Sequence, residues 1–333
     1  MKESSIERVV GNLPVETKEK TLLDMADRFL QQNFPELRGK EKQKSPEETH
    51  IIECADNATN EILREYGLES FPVPLSNVHI IREEAWPWKT KGEYQPFVQA
   101  VLLREEANRI AQMDRTMHEL FHFKSYTAIQ KPIADTDSKS YKIYRLGFIA
   151  SSRDGKKIYF TNLNEAITEE LVKRRLAKFL TDPIFAEEVA RNKEIAHYFK
   201  NSRLPNGELL FTDDTLFAEA IGRDRKGALV TKLSLDPEIN WGVGRKTFGY
   251  VDERKIFNKL IDKIFEPNQG KYNSREQVFD LFAKAMLSGN LLPVGKLIDR
   301  TFGVGTFRAM AELDSELDKL EVFIENLTTA SLA

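Results

Sequence analysis

Apolar residues recur at helical spacing near the start of the chain. Over residues 18–34, Leu22, Leu23, Met25, Ala26, Phe29 and Leu30 fall on one side of a predicted helix. The charged run at 38–44 reads as a solvated loop. Ser45-Pro46-Glu47-Glu48 predicts a second helix start, with Ser45 as N-cap, Pro46 in the first position and Glu48 closing a capping box. That helix runs to about Tyr66 and ends at Gly67. Phe71-Pro72-Val73-Pro74 breaks the pattern. Residues 78–81 and 97–103 then predict strands, and 105–126 a long helix whose stripe is Ile110, Met113, Met117, Leu120 and Phe121. The segments 141–150 and 157–161 flank Arg153-Asp154-Gly155-Lys156, and Asp-Gly between apolar runs predicts a hairpin. From Asn164 onward helical patterns dominate, at 165–180, 184–200, 251–265, 274–288, 291–302 and 305–328. No internal repeat or low-complexity segment interrupts them.

A chain of 333 residues that is 41% apolar can bury a substantial core. With 49 basic against 52 acidic residues, the net charge of −3 excludes a generally basic nucleic-acid binder. A single cysteine, Cys54, excludes an internal disulfide framework and a Cys-rich metal cluster. On its predicted helix face it reads as a small buried hydrophobe rather than a zinc-capping switch. No apolar run approaches the roughly 20 residues of a membrane span, and the N-terminus leads into no signal-peptide core. A cytoplasmic location without membrane contact is the expectation.

The chemistry concentrates in His118-Glu119-Leu120-Phe121-His122, an H-E-x-x-H motif within the long helix. Residues four apart share a helical face, so both imidazoles reach one metal ion. Glu119 stands beside that point and is placed to take a proton from an activated water. Zinc suits such a site, since it accepts neutral imidazole nitrogen and brings no redox chemistry. A zinc site that works on a substrate needs a third protein ligand and one open position.

Downstream, Asn164-Glu165-Ala166-Ile167-Thr168-Glu169 sets Glu165 and Glu169 four apart on another helix. One of them can bind metal while the other accepts a hydrogen bond from the free ring nitrogen of a ligand histidine. Taken alone, the pair is equally an acidic first turn favoured by the helix dipole.

Together the two motifs resemble those of the gluzincin metallopeptidases, the thermolysin-like clan, which carry H-E-L-x-H on one helix and N-E-A-I-S-D on the next. The resemblance implies zinc on His118, His122 and Glu165, Glu119 as general base, and Glu169 as hydrogen-bond partner of a ligand histidine. Thr168 and Glu169 stand where those enzymes have Ser and Asp. The resemblance covers roughly residues 97–175. Glu165 lies 43 positions after His122, a wider gap than in thermolysin, because a hairpin intervenes. The flanking helices look more like those of uncharacterised bacterial members. In such folds the strand before the metal helix is the edge along which an extended peptide lies, and 97–103 would serve. An oxyanion donor is expected from the C-terminal part. Candidates are His197-Tyr198 and Tyr250, the latter ranked ahead because it follows a Gly-rich loop. Gly242-Val243-Gly244-Arg245-Lys246-Thr247 lacks the spacing of a phosphate loop and reads as a turn. Trp86-Pro87-Trp88 reads as loop packing.

The expected fold is α+β and predominantly helical. It comprises a helical N-terminal region at 1–70, a zincin-like catalytic core with a small sheet at 71–205, and a helical C-terminal subdomain at 206–333. The expected function is zinc-dependent hydrolysis of a peptide or protein substrate. The rivals are a non-catalytic binding or regulatory protein on a zincin fold, and a metallohydrolase of non-peptide substrates. An intact Glu119 argues against the first rival.

Overall fold

The computed structural model describes residues 5–11, 13–31, 39–130, 141–230, 232–234 and 236–330, with the side chains of 28–31 left aside. The fold is α+β, with about half of the described residues helical. In chain order the elements are β1 (Ile6–Val10), α1 (Val15–Gln31), α2 (Pro46–Glu65), β2 (Val78–Ile81), β3 (Gly92–Gln95), β4 (Ala100–Arg104), α3 (Arg109–Lys124) and β5 (Thr127–Gln130). They continue with β6 (Lys142–Leu146), β7 (Ile149–Ser151), β8 (Ile158–Tyr159), α4 (Thr161–Phe179), α5 (Ala186–Phe199), β9 (Thr215–Arg223), β10 (Leu229–Val230) and β11 (Asn240–Thr247). The chain closes with α6 (Val251–Phe265), α7 (Arg275–Ser288), α8 (Leu292–Phe302), α9 (Thr306–Leu313) and α10 (Leu317–Glu325). No described helix is long and apolar enough to cross a membrane.

The start of α2 is local chemistry. Ser45 Oγ accepts from Glu48 N at 3.1 Å, and Glu48 Oε2 accepts from Ser45 N at 2.8 Å. Two otherwise unpaired backbone donors are thereby satisfied. Its apolar face, Ile51, Ile52, Ala55, Ala58, Ile62 and Leu63, is buried along α3. α3 begins at Asn108, whose side chain accepts from Ala111 N at 3.0 Å. It is buried nearly all round: Ile110, Met113, Met117, Leu120 and Phe121 form its apolar stripe, and the polar Gln112 and Thr116 are enclosed as well.

At its C-terminal end Lys124 is fully enclosed. Its Nζ donates to Asp56 Oδ1 (2.6 Å), Thr59 Oγ1 (2.8 Å) and Asn60 Oδ1 (2.9 Å) on α2. Burial pulls the ammonium down to about 8, against the opposing attraction of Asp56. Lys124→Met should leave Asp56 buried without its counter-charge, at a cost of about 3–5 kcal/mol. A urea titration would read this as a lowered midpoint at unchanged slope. A loss below about 1 kcal/mol would rule out the ion pair as a fastening between the two helices.

Among the described residues the strands form three sheets. β2-β4-β3 pairs β2 with β4 in parallel and β3 with β4 antiparallel. The strand expected at 97–103 begins at Ala100 and lies in the middle of this sheet, not at its edge. Val101, Leu102 and Leu103 are buried on both faces, as a central strand requires. The outer side of β2 is covered at Ile81 by Glu41 and by Lys42 N donating to Ile80 O. The edge that faces the site is therefore β3.

The second sheet, β1-β5-β6-β7-β8, contains the predicted hairpin. The single strand expected at 141–150 is divided at Gly147, whose φ of +56° turns the chain between β6 and β7. It also draws in β1, parallel to β5, so the N-terminal region is not purely helical. The third sheet, β10-β9-β11, occupies 215–247, where a helical subdomain was expected. The glycine-containing run at 242–247 is part of β11 rather than a turn. One hydrophobic cluster runs from Ile51 to Ile324, so all three expected regions contribute to the same core.

Candidate metal centre

α3 and α4 pack side by side, which brings the two sequence motifs together. His118 Nε2 and His122 Nε2 lie 3.0 Å apart, and Glu165 Oε2 is 3.1 Å from the first and 3.2 Å from the second. The three form a nearly equilateral triangle of donor atoms. A tetrahedral ion with bonds of about 2.0–2.2 Å separates its donors by roughly 3.4 Å, so this spacing fits zinc closely.

The partners behind the donors fit as well. His118 Nδ1 is 2.7 Å from Glu169 Oε2, so that nitrogen donates to the carboxylate and Nε2 is the one turned toward the triangle. Glu169 is held in turn by Gly249, whose N–H donates to its Oε1. The amide nitrogen of Asn164 stands 3.4 Å from His122 Nδ1, too long to fix that ring's tautomer. Asn164 Oδ1 accepts from Phe148 N at 2.8 Å, tying the β6–β7 turn to α4. A Cβ at Gly147 would come within 2.6 Å of that oxygen.

The electrostatics have one sense. Burial opposes charge on His118, but the carboxylates of Glu165 and Glu169 override it and hold the imidazole well above its usual range. Burial likewise acts to raise Glu165, and His122 and His118 outweigh it, keeping the carboxyl well below the usual range. A buried cluster of two imidazoles and a carboxylate that favours positive charge is the donor set zinc takes.

Glu119 is 6% exposed and points beside the triangle. Burial raises its carboxyl, with help from Glu165 and Glu93 and against the pull of His118 and His122. Its carboxylate lies over Gly92 on β3, where a Cβ would approach Oε1 to 2.6 Å. A larger residue at 92 would push the Glu119 side chain out of this position. Two cavities, of about 210 and 410 Å³, share Gly92, His118, Glu119 and Tyr250 in their walls. The triangle thus opens onto a cleft that passes on both sides of Glu119.

Tyr250 stacks on His118, with ring centroids 5.5 Å apart and planes 12° from parallel. Burial and the charges of Glu165 and Glu119 raise its phenol, which keeps the O–H as a donor. Its backbone is left-handed, with φ of 51°. Arg254 holds this turn: its Nε donates to Gly249 O at 2.7 Å, and its Nη1 pairs with Glu170 (3.0 Å) and Asp214 (2.8 Å). The other expected donors are elsewhere. His197 and Tyr198 end α5, where Tyr198 packs in a separate cluster with Phe199 and Trp241, and neither lines the two cavities.

Sequence reasoning missed Gly92, Asp114 and Arg254. Asp114 lies one turn before His118, half-buried with its Oδ1 enclosed, and its carboxyl is pushed up by the loss of solvent and by Glu169. A D-x-x-x-H-E-x-x-H spacing was its only signal. Compared with known protein families, curated proteins and solved structures, the chain matches none.

Proposed function

We infer that the protein is a zinc-dependent metallopeptidase whose centre is of the gluzincin kind on a zincin-like core. The observation that carries this reading is the convergence of His118 Nε2, His122 Nε2 and Glu165 Oε2 within 3.0–3.2 Å of one another, with Glu119 beside them in an open cleft. Zinc held by these three donors supplies Lewis acidity, lowering the pKa of a water to about 7 and polarising a carbonyl.

The residues do the remaining work. Glu119 accepts the proton as water adds to the scissile carbonyl carbon, then delivers it to the leaving nitrogen as the C–N bond breaks. Tyr250 offers its O–H to the oxygen on which negative charge develops. Glu169 keeps the proton of His118 on Nδ1 and the ring in place. The edge of β3 presents backbone groups along which an extended peptide adds as a further strand, its scissile bond brought to Glu119 by the Gly92 side of that strand.

The test is metal analysis joined to hydrolysis. Parent protein should retain zinc at His118, His122 and Glu165 after dialysis, and cleave members of a broad peptide library in a chelator-sensitive way. The His118→Ala, His122→Ala double variant should lose that zinc and the cleavage together. Zinc on this cluster without cleavage of any peptide would favour a binding protein on the same fold, and equal zinc in both proteins would remove the centre altogether.

A further inference from the structure

We propose that His50, Cys54 and Asp182 form a second site for a zinc-like divalent cation, separate from the His118 centre. His50 and Cys54 are four apart and share one face of α2. Asp182 follows α4 and starts the short turn that leads into α5. Its Oδ1 accepts from Ile184 N at 2.9 Å, which leaves Oδ2 facing α2. The cysteine is half-buried at this junction rather than sunk in the apolar face expected from the sequence. None of the three residues lines either cavity beside His118.

The donor atoms meet at one point. His50 Nε2 is 3.1 Å from Asp182 Oδ2, Cys54 Sγ is 3.6 Å from His50 Nε2, and Cys54 Sγ is 3.8 Å from Asp182 Oδ2. A tetrahedral zinc with ordinary Zn–N, Zn–O and Zn–S bonds sets these pairs roughly 3.4, 3.6 and 3.6 Å apart. All three observed distances lie near those values. A nucleophilic Cys–His–Asp relay does not fit, because thiol and carboxylate approach the same ring nitrogen. A relay needs them on opposite nitrogens of the imidazole.

Thiolate with imidazole selects zinc and its neighbours over magnesium or calcium. Binding displaces the thiol proton to solvent. The partly exposed His50 leaves a fourth position open to water, and the ion joins α2 to the end of α4. α4 also carries Glu165 and Glu169, so the second ion fastens the far end of the helix that supplies the third donor of the first.

Cobalt(II) separates the two sites, because only this one has a sulfur donor. The reduced full-length protein, first shown to have one titratable thiol per chain, is titrated with cobalt and followed by thiolate-to-cobalt charge-transfer absorption. The band should saturate, persist in the His118→Ala, His122→Ala variant, and vanish in Cys54→Ser. It should need at least about tenfold more cobalt in His50→Ala and in Asp182→Asn, a substitution that keeps the Oδ1 cap on Ile184. No band in parent protein whose thiol titrates would overturn the site. So would a band unchanged in both His50→Ala and Asp182→Asn. Neither result bears on hydrolysis at His118, so failure here and failure of the peptidase reading are told apart.

Discussion

Glu119→Gln should retain zinc and lose at least about a hundredfold in turnover of any peptide the parent cleaves. Glutamine keeps the size and shape that fit over Gly92, where a Cβ would approach the Glu119 carboxylate to 2.6 Å. It cannot accept a proton from water, and it has none to pass to the leaving nitrogen. The carboxyl is buried beside two histidines, so solvent does not easily stand in for it. Tyr250→Phe is the companion measurement. Phenylalanine preserves the ring that stacks on His118 at 5.5 Å and removes only the O–H. Loss of an oxyanion donor is worth about 10²–10³ in kcat, with zinc again retained. Parent-like turnover in Glu119→Gln would remove it as the base. Parent-like turnover in Tyr250→Phe would return Tyr250 to a packing role on His118.

The second large effect separates the two carboxylates of α4. Glu165→Ala removes one of three protein donors and should empty the site under mild chelation. Glu169→Ala leaves the triangle of 3.0–3.2 Å intact but frees His118 Nδ1 and the N–H of Gly249. Loss of such a partner costs about 10–100-fold in metal affinity or activity. Zinc measured after stepwise competition with a chelator should fall in the order parent, Glu169→Ala, Glu165→Ala. An inverted order would exchange their roles. If neither variant differs from the parent, the third donor is not on α4.

Several features needed only neighbouring residues to specify them. The capping box at Ser45 and Glu48 formed as its four-residue signature requires, because each partner is within one helical turn. His118 with His122, and Glu165 with Glu169, share helical faces for the same reason. The α+β class followed from apolar periodicity, which encodes which side of a local element is buried. That the two motifs point at one place was expected from their resemblance to a known pair.

Tertiary structure decided everything that depends on pairing at a distance. The run at 97–103 shows that a strand is buried, but not which neighbours lie beside it. β3, whose Gly-Glu-Tyr-Gln sequence has little strand character, took the edge next to Glu119. β1 joined β5 because Ile6 and Val9 have an apolar surface to share with Ile129, a contact with no local trace. The ribbon at 215–247 carries little strand signal of its own, since β11 exposes every second residue and holds two glycines. Tyr250 reached His118 through a left-handed turn held by Arg254, Glu170 and Asp214, residues from three separate segments. Cys54 and Asp182 are 128 positions apart, and only the packing of α2 against the end of α4 brings thiol, imidazole and carboxylate to one point. Periodicity records the burial of each element; the choice of partner is settled by how all the buried faces fit together at once.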